Sequence, residues 1–162
     1  MPRIQPLLAI APALLAPLAS AQGLTWRDQE SIGWACGGIG FEERQTLREY
    51  ESRGNVGLLF VTATRGGLVA DVRLRVVAVN DPSRGLEITA EGPQCVLRLT
   101  AGEWLVQARY GDVTREKTFS LRTSTPAPLQ RIQLSFPNGL GETPRASPEE
   151  SSQVGDWGKV GR

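Results

Sequence analysis

The sequence predicts a mostly-β fold: a single antiparallel β-sandwich of about seven strands with one short N-terminal helix. Trp104, Val106, Ala108 and Tyr110 fall on one side of a run whose other side holds Glu103, Gln107 and Arg109, the period-2 pattern of a half-buried strand. The same alternation recurs at Val72, Leu74 and Val76, at Leu86, Ile88 and Ala90, and at Ile132, Leu134 and Phe136. Glycine-containing breaks separate the runs, and glycine takes the positive φ that hairpin turns require.

Taken in order, residues 1–21 hold one basic residue (Arg3), an apolar stretch from Ile4 to Leu18 and the small residues Ala19, Ser20 and Ala21. This is the pattern of a cleaved secretory signal peptide. A membrane-spanning helix needs about 20 apolar residues; this stretch is shorter and is broken by Pro6, Pro12 and Pro17. No cysteine follows the cleavage site, so the expectation is a periplasmic or secreted chain with no membrane anchor after cleavage. About 140 residues then remain, enough for one domain, expected over residues 22–136 with a disordered tail at 137–162.

Cys36 and Cys95 are the only cysteines. In an exported chain the default is one disulfide between them, with a free thiol or a metal pair as the alternatives. Residues 22–36 show no clear period but contain Trp26 and Trp34. Each reads either as a packing residue or as an aromatic platform for a sugar ring, and packing is the favoured reading. Gly37, Gly38 and Gly40 precede a helix expected over 41–53, with Glu42 and Glu43 in its first turn, Arg48 and Arg53 near its end, and Gly54-Asn55 as its stop. Glycines before a helix can cradle phosphate, but neither the GxGxxG nor the GxxxxGK[ST] spacing is present.

Residues 55–65 form a near-continuous apolar run, expected to be a central strand covered on both sides, with the helix as one cover. A strand at 68–79 presents Arg73 and Arg75 to solvent, and 80–85 (NDPSRG) is a strong turn signal. Residues 92–121 read as a three-stranded meander with turns at Ala101-Gly102 and Gly111-Asp112, each strand having a dry side. After a Pro-rich linker, a last strand ends at Phe136. Trp157 lies in the tail as a loosely docked residue or a partner contact, and the sequence does not choose between them.

The chemistry open to this chain is narrow. There is no histidine, which removes the commonest general base and transition-metal ligand. With the cysteines bridged, only carboxylate pairs or the sparse lysines remain; Glu42 and Glu43 are adjacent and point apart on a helix. Asp71, Glu87, Glu91 and Asp112 read as solvated carboxylates, and Asn80-Asp81 as a turn, not a calcium site. No catalytic residue, cofactor or metal is expected. Arg3 is the only charge in the signal segment, so 17 acidic residues face as many basic ones in the exported chain. That balance leaves no electrostatic footprint for nucleic acid.

The stretches CGGIGFEERQTL, GLLFVTATRGGLVADVRLRVV and EGPQCVLRLTAGEWLVQARYGDVTREKTFSL together resemble the carboxypeptidase regulatory-like, transthyretin-like domains of small exported proteobacterial proteins. The "ladV" strand is matched by Leu68-Val69-Ala70-Asp71-Val72 and the closing "GP…L…LpaG.Y.v.A…G" segment by residues 92–111. Departures are Thr100 before Ala101-Gly102, Trp104 in place of Tyr, and no aromatic residue at Gly67-Leu68. The resemblance implies a prealbumin-like β-sandwich acting as a non-catalytic accessory module, and it carries over no binding residues. The functional expectation is therefore a module that binds an envelope protein, with glycan binding through Trp26, Trp34 and Trp157 as the alternative.

Overall fold

The structure, a computed structural model, describes residues 23–64, 66–122 and 128–139; the signal segment, the tail beyond 139 and Trp157 lie outside them. The elements run β1 (Arg27–Gln29), β2 (Ile32–Gly37), α1 (Phe41–Tyr50), β3 (Val56–Thr62), β4 (Val72–Ala78), β5 (Asp81–Ala90), β6 (Gln94–Arg98), β7 (Gly102–Tyr110), β8 (Val113–Leu121) and β9 (Gln130–Phe136). They form two sheets, ordered β1-β2-β6-β3-β9 and β5-β4-β7-β8. Among the described residues every strand pairing is antiparallel except β3 with β9. One buried cluster draws Trp34, Leu58, Phe60 and Leu97 from the first sheet and Leu74, Val76, Trp104 and Val106 from the second.

The chain is thus mostly β, and among the described residues it has one helix and nine strands rather than seven. The two additional strands come from residues 27–37. Ile32 and Trp34 enter the core while Gly33, Ala35 and Gly37 occupy the other face, and small residues on that face hide the alternation. The β1–β2 turn is equally hidden, since Glu30 takes φ 52° where glycine would announce a reversal.

Three further expectations are corrected. The expected meander does not form: β6 pairs with β2 and β3 in one sheet, whereas β7 pairs with β4 and β8 in the other. Of the two turns expected within it, only that between β7 and β8 closes a hairpin, with Gly111 at φ 56° in its two-residue turn. β6 suits an interior position because its middle is buried on both sides, Cys95 and Leu97 in the main core and Val96 in a second cluster. The expected turn at 80–85 is also displaced. Ala78 pairs with Asp81 but Val77 pairs with Gly85, so the chain reverses at Val79–Asn80 and Pro82, Ser83 and Arg84 bulge out of edge strand β5. Proline, which cannot donate to a ladder, is tolerated there. Finally, β8 lacks a continuous dry side: of its residues only Phe119 is buried, and Arg115 and Lys117 share its face.

The Cys36–Cys95 disulfide forms, between residues directly opposite on β2 and β6 with Cα atoms 4.1 Å apart. It makes β2 an interior strand of its sheet, not an appendage. With its ends 59 positions apart, the bridge contributes about 4 kcal/mol on the chain-entropy account.

Where the chain leaves β6 for the other sheet, a side chain replaces a strand partner. Asn55 is 3% exposed and is the buried polar side chain among the described residues. Its Nδ2 donates to the Leu99 carbonyl at 2.7 Å, and its Oδ1 accepts from the Leu99 N–H at 3.0 Å. Its backbone N–H donates to the Leu97 carbonyl, and its own carbonyl accepts from the Gln130 N–H at the start of β9. Asn55→Ala leaves both polar groups of Leu99 buried without partners, each costing about 1–3 kcal/mol. The expected outcome in urea denaturation is a loss of about 2–4 kcal/mol, with Asn55→Asp also destabilising because its second oxygen would face the Leu99 carbonyl; a loss within 0.5 kcal/mol for both variants, about the level of an ordinary surface substitution, would show that the clamp is not needed.

Candidate functional site

On the first sheet, the face opposite the main core is built in rows across four strands. One row reads Ala35, Val96, Gly57 and Arg131; the next reads Gly37, Gln94, Leu59 and Gln133. Leu47, the buried residue of α1, lands on Ala35 and Val96, so the helix covers β2 and β6. The expected cover over β3 is absent: Gly57 and Leu59 are only half-buried. Between α1 and the uncovered β3–β9 face lies a groove of about 720 Å3.

Gly57, Leu59, Val96 and Leu129 make the apolar part of its floor, Gln94 and Gln133 flank Leu59, and Arg44, Arg48 and Arg131 stand along its rim with Glu51. Arg131 donates to both Glu51 carboxylate oxygens at 3.2 and 3.1 Å, bridging β9 to the end of α1. The pair is exposed on the arginine side, so it contributes roughly 0–1 kcal/mol and opens at little cost. Arg44 donates to the Ile39 carbonyl at 3.3 Å. Among the described residues the Arg48 guanidinium has no hydrogen-bond or ion-pair partner, while its carbonyl accepts from the Glu51 N–H at 3.3 Å. The rim thus sets three guanidiniums against one carboxylate above an apolar floor.

Gly57 is the informative floor residue. Glycine inside a strand destabilises by roughly 0.5–1 kcal/mol relative to alanine, so it asks for a reason. Backbone conformation supplies none, since Gly57 is not among the positive-φ glycines. Crowding supplies none either: a Cβ there would meet Leu129 Cδ1 at 3.7 Å and Arg131 Cγ at 3.9 Å, ordinary contacts. Gly92 is the contrast, because a Cβ there would lie 2.3 Å from the Gly37 carbonyl. The fold requires the glycine at 92; at 57 its effect is an open groove floor.

The tryptophans of the sequence reading are dispersed. Trp34 is 9% exposed in the main core, so it offers no platform. Trp26 lies on the other face against the smaller cluster. Its Nε1 donates to Asp28 Oδ1 at 3.1 Å, its ring meets Tyr50 edge-on at 5.6 Å, and the Arg98 guanidinium sits 5.9 Å from it. Trp157 is outside the described residues. The structure does not bring the two described indoles together, and the groove residues were not singled out in the sequence.

The glycine-rich approach to α1 is occupied by the chain itself. Glu43 Oε2 accepts from the N–H groups of Gly38 and Ile39 at 2.9 and 3.0 Å, placing a carboxylate where a phosphate would sit. Among the described residues no group of three or more His, Cys, Asp or Glu side chains could hold a metal ion. The strand edges are poorly shaped for accepting another strand. β1 has three residues, β5 carries Pro82 and a bulge, β8 turns Arg115 and Lys117 to its inner face, and Arg115 Nε donates to the Ser135 carbonyl of β9 at 2.8 Å.

Compared with protein-family models, with curated proteins and with solved structures, the chain finds no match. The groove therefore rests on its own geometry. That geometry makes opposite demands on two glycines. Gly57→Ala is expected to leave the melting temperature unchanged or slightly raised, whereas Gly92→Ala loses about 3 kcal/mol or fails to fold, because backbone must move. Equal destabilisation by both would show that Gly57 is a folding requirement.

Proposed function

We propose that this chain is a non-catalytic, exported accessory module of the cell envelope, a prealbumin-like β-sandwich of the carboxypeptidase regulatory-like kind, and that it binds a segment of a protein partner in the α1/β3–β9 groove. Support for the architecture is the single core cluster shared by the two sheets. Export is supported by the apolar leader and by a disulfide suited to an oxidising compartment. The observation that carries the binding reading is Gly57, a strand glycine that neither φ nor crowding explains, at the floor of the groove of about 720 Å3. Blunted strand edges favour the groove over strand addition as the mode of recognition.

Glycan binding is the weaker reading, because Trp34 is buried and Trp26 is engaged by Tyr50, Asp28 and Arg98. The test uses the disulfide-intact protein as bait, against periplasmic extract and separately against cell-wall glycan, alongside a Gly57→Leu variant checked for folding by its melting curve. One protein enriched by the wild type and lost with Gly57→Leu is the expected result. Retention on glycan alone, abolished by Trp26→Ala and untouched by Gly57→Leu, would overturn it.

A further inference from the structure

The groove has a candidate occupant within the same chain. We infer that residues 149–157 of the C-terminal tail, EESSQVGDW, dock in the α1/β3–β9 groove, with Trp157 over Gly57 and the carboxylates of Glu149, Glu150 and Asp156 against Arg44, Arg48 and Arg131. The inference rests on the groove being a peptide site, as proposed above.

Charge is the first argument. Three rim guanidiniums face a single carboxylate, and that of Arg48 is bound by no described residue. Residues 149–157 carry three carboxylates and no basic residue. Planar guanidiniums take carboxylates in paired hydrogen bonds, and Glu51 can yield Arg131 because an exposed pair is worth at most about 1 kcal/mol. Shape is the second. The floor of Gly57, Leu59, Val96 and Leu129 is apolar and lacks a side chain at its middle, which suits an indole, and Trp157 is the tail's aromatic residue.

Reach is the third. The described chain ends at Gly139, just past β9. The groove takes its β9 residues from Arg131 to Gln133, three to five positions back from Phe136, or roughly 10–17 Å at the rise of a strand. Counted from the same Phe136, thirteen positions lead to Glu149, and a linker of that length has a root-mean-square span of about 20 Å. The tether matches the distance. A linker of this length gives an effective concentration in the millimolar range, so even a weak contact is populated, and a partner segment must displace it.

The test compares the full chain with a full-length Glu149→Lys, Glu150→Lys, Trp157→Ala variant, whose changes lie outside both sheets, by backbone amide NMR at low and high salt. Docking predicts shift changes confined to residues around Arg44, Arg48, Gly57, Leu59 and Arg131, independent of protein concentration and reduced by salt. It also predicts that a synthetic peptide of residues 147–158 restores those shifts when added to the tail variant, and fails to do so when Gly57→Leu is combined with it. Partner capture by the tail variant should rise at least twofold, from removal of a competitor. Unchanged groove shifts in the tail variant would overturn the inference, as would shifts that grow with protein concentration, which would assign the contact to a second copy. If the tail variant leaves the groove unperturbed while Gly57→Leu still abolishes partner capture, the tail contact fails and the peptide site stands. If Gly57→Leu changes neither, both fail.

Discussion

The structure depends on how the chain crosses from one sheet to the other after β6. A crossing strand gives up its ladder partners, and a buried peptide group without a partner costs about 1–3 kcal/mol. Here Asn55 supplies both missing partners to Leu99 from its side-chain amide, acting as a short extension of the neighbouring strand. The same residue binds the Leu97 carbonyl through its own N–H and the Gln130 N–H through its carbonyl. It thereby fixes where β3 begins, where β6 ends and where β9 enters. The parallel pairing of β3 with β9 encloses the whole second sheet in sequence, and it is at Asn55 that this long connection is closed.

What the sequence made legible follows from which faces are dry. β4, β7 and β9 have one buried and one wet face, so Val72/Leu74/Val76, Trp104/Val106/Ala108 and Ile132/Leu134/Phe136 were read with the correct orientation. The β7–β8 turn was legible because Gly111 occupies it. Failures occur where that contrast is missing. β2 has large residues on one face and Gly33, Ala35 and Gly37 on the other, so no polar side marks its period. β6 fails for another reason: Cys95 and Leu97 share one face and Gln94, Val96 and Arg98 the other, so its period is visible, but nothing in a hairpin-like spacing tells whether the strand before Gly102 pairs with the strand after it. Asn55 reads as a helix stop because its role depends on a residue 44 positions away.

The groove was illegible for a related reason: it is defined by what the helix leaves bare. In the sequence Arg48 is a charge near the end of a helix and residue 57 one position of an apolar run, while Arg44, Glu51 and Arg131 carry no signal of their own. They become one site only when α1 is seen to sit on β2 and β6. The helix is steered there by small partners, since Leu47 needs the space above Ala35 and beside Val96. Trp26 covers Gly33 on the far side and blocks a shift in that direction.

Element widths show that some exposed face must remain. Five strands at about 4.8 Å spacing make a sheet roughly 19 Å across, whereas one helix with its side chains covers about 10 Å. A single helix centred on β2 and β6 therefore leaves β3 and β9 uncovered, over a width of about 10 Å that matches one further extended segment or helix. A fold indifferent to that strip would fill it with alternating polar residues from both strands, as on the outer face of β4 with Arg73 and Arg75. Here β9 does present Arg131 and Gln133, but β3 gives the strip a glycine and a leucine, with Leu129 at the mouth of β9 and Val96 beside them. An apolar patch with a polar and charged border is the pattern of a surface shaped for an amphipathic chain, and the groove's selectivity then lies in its arginines: hydrophobic contact supplies affinity for many segments, while the rim favours those that bring carboxylates.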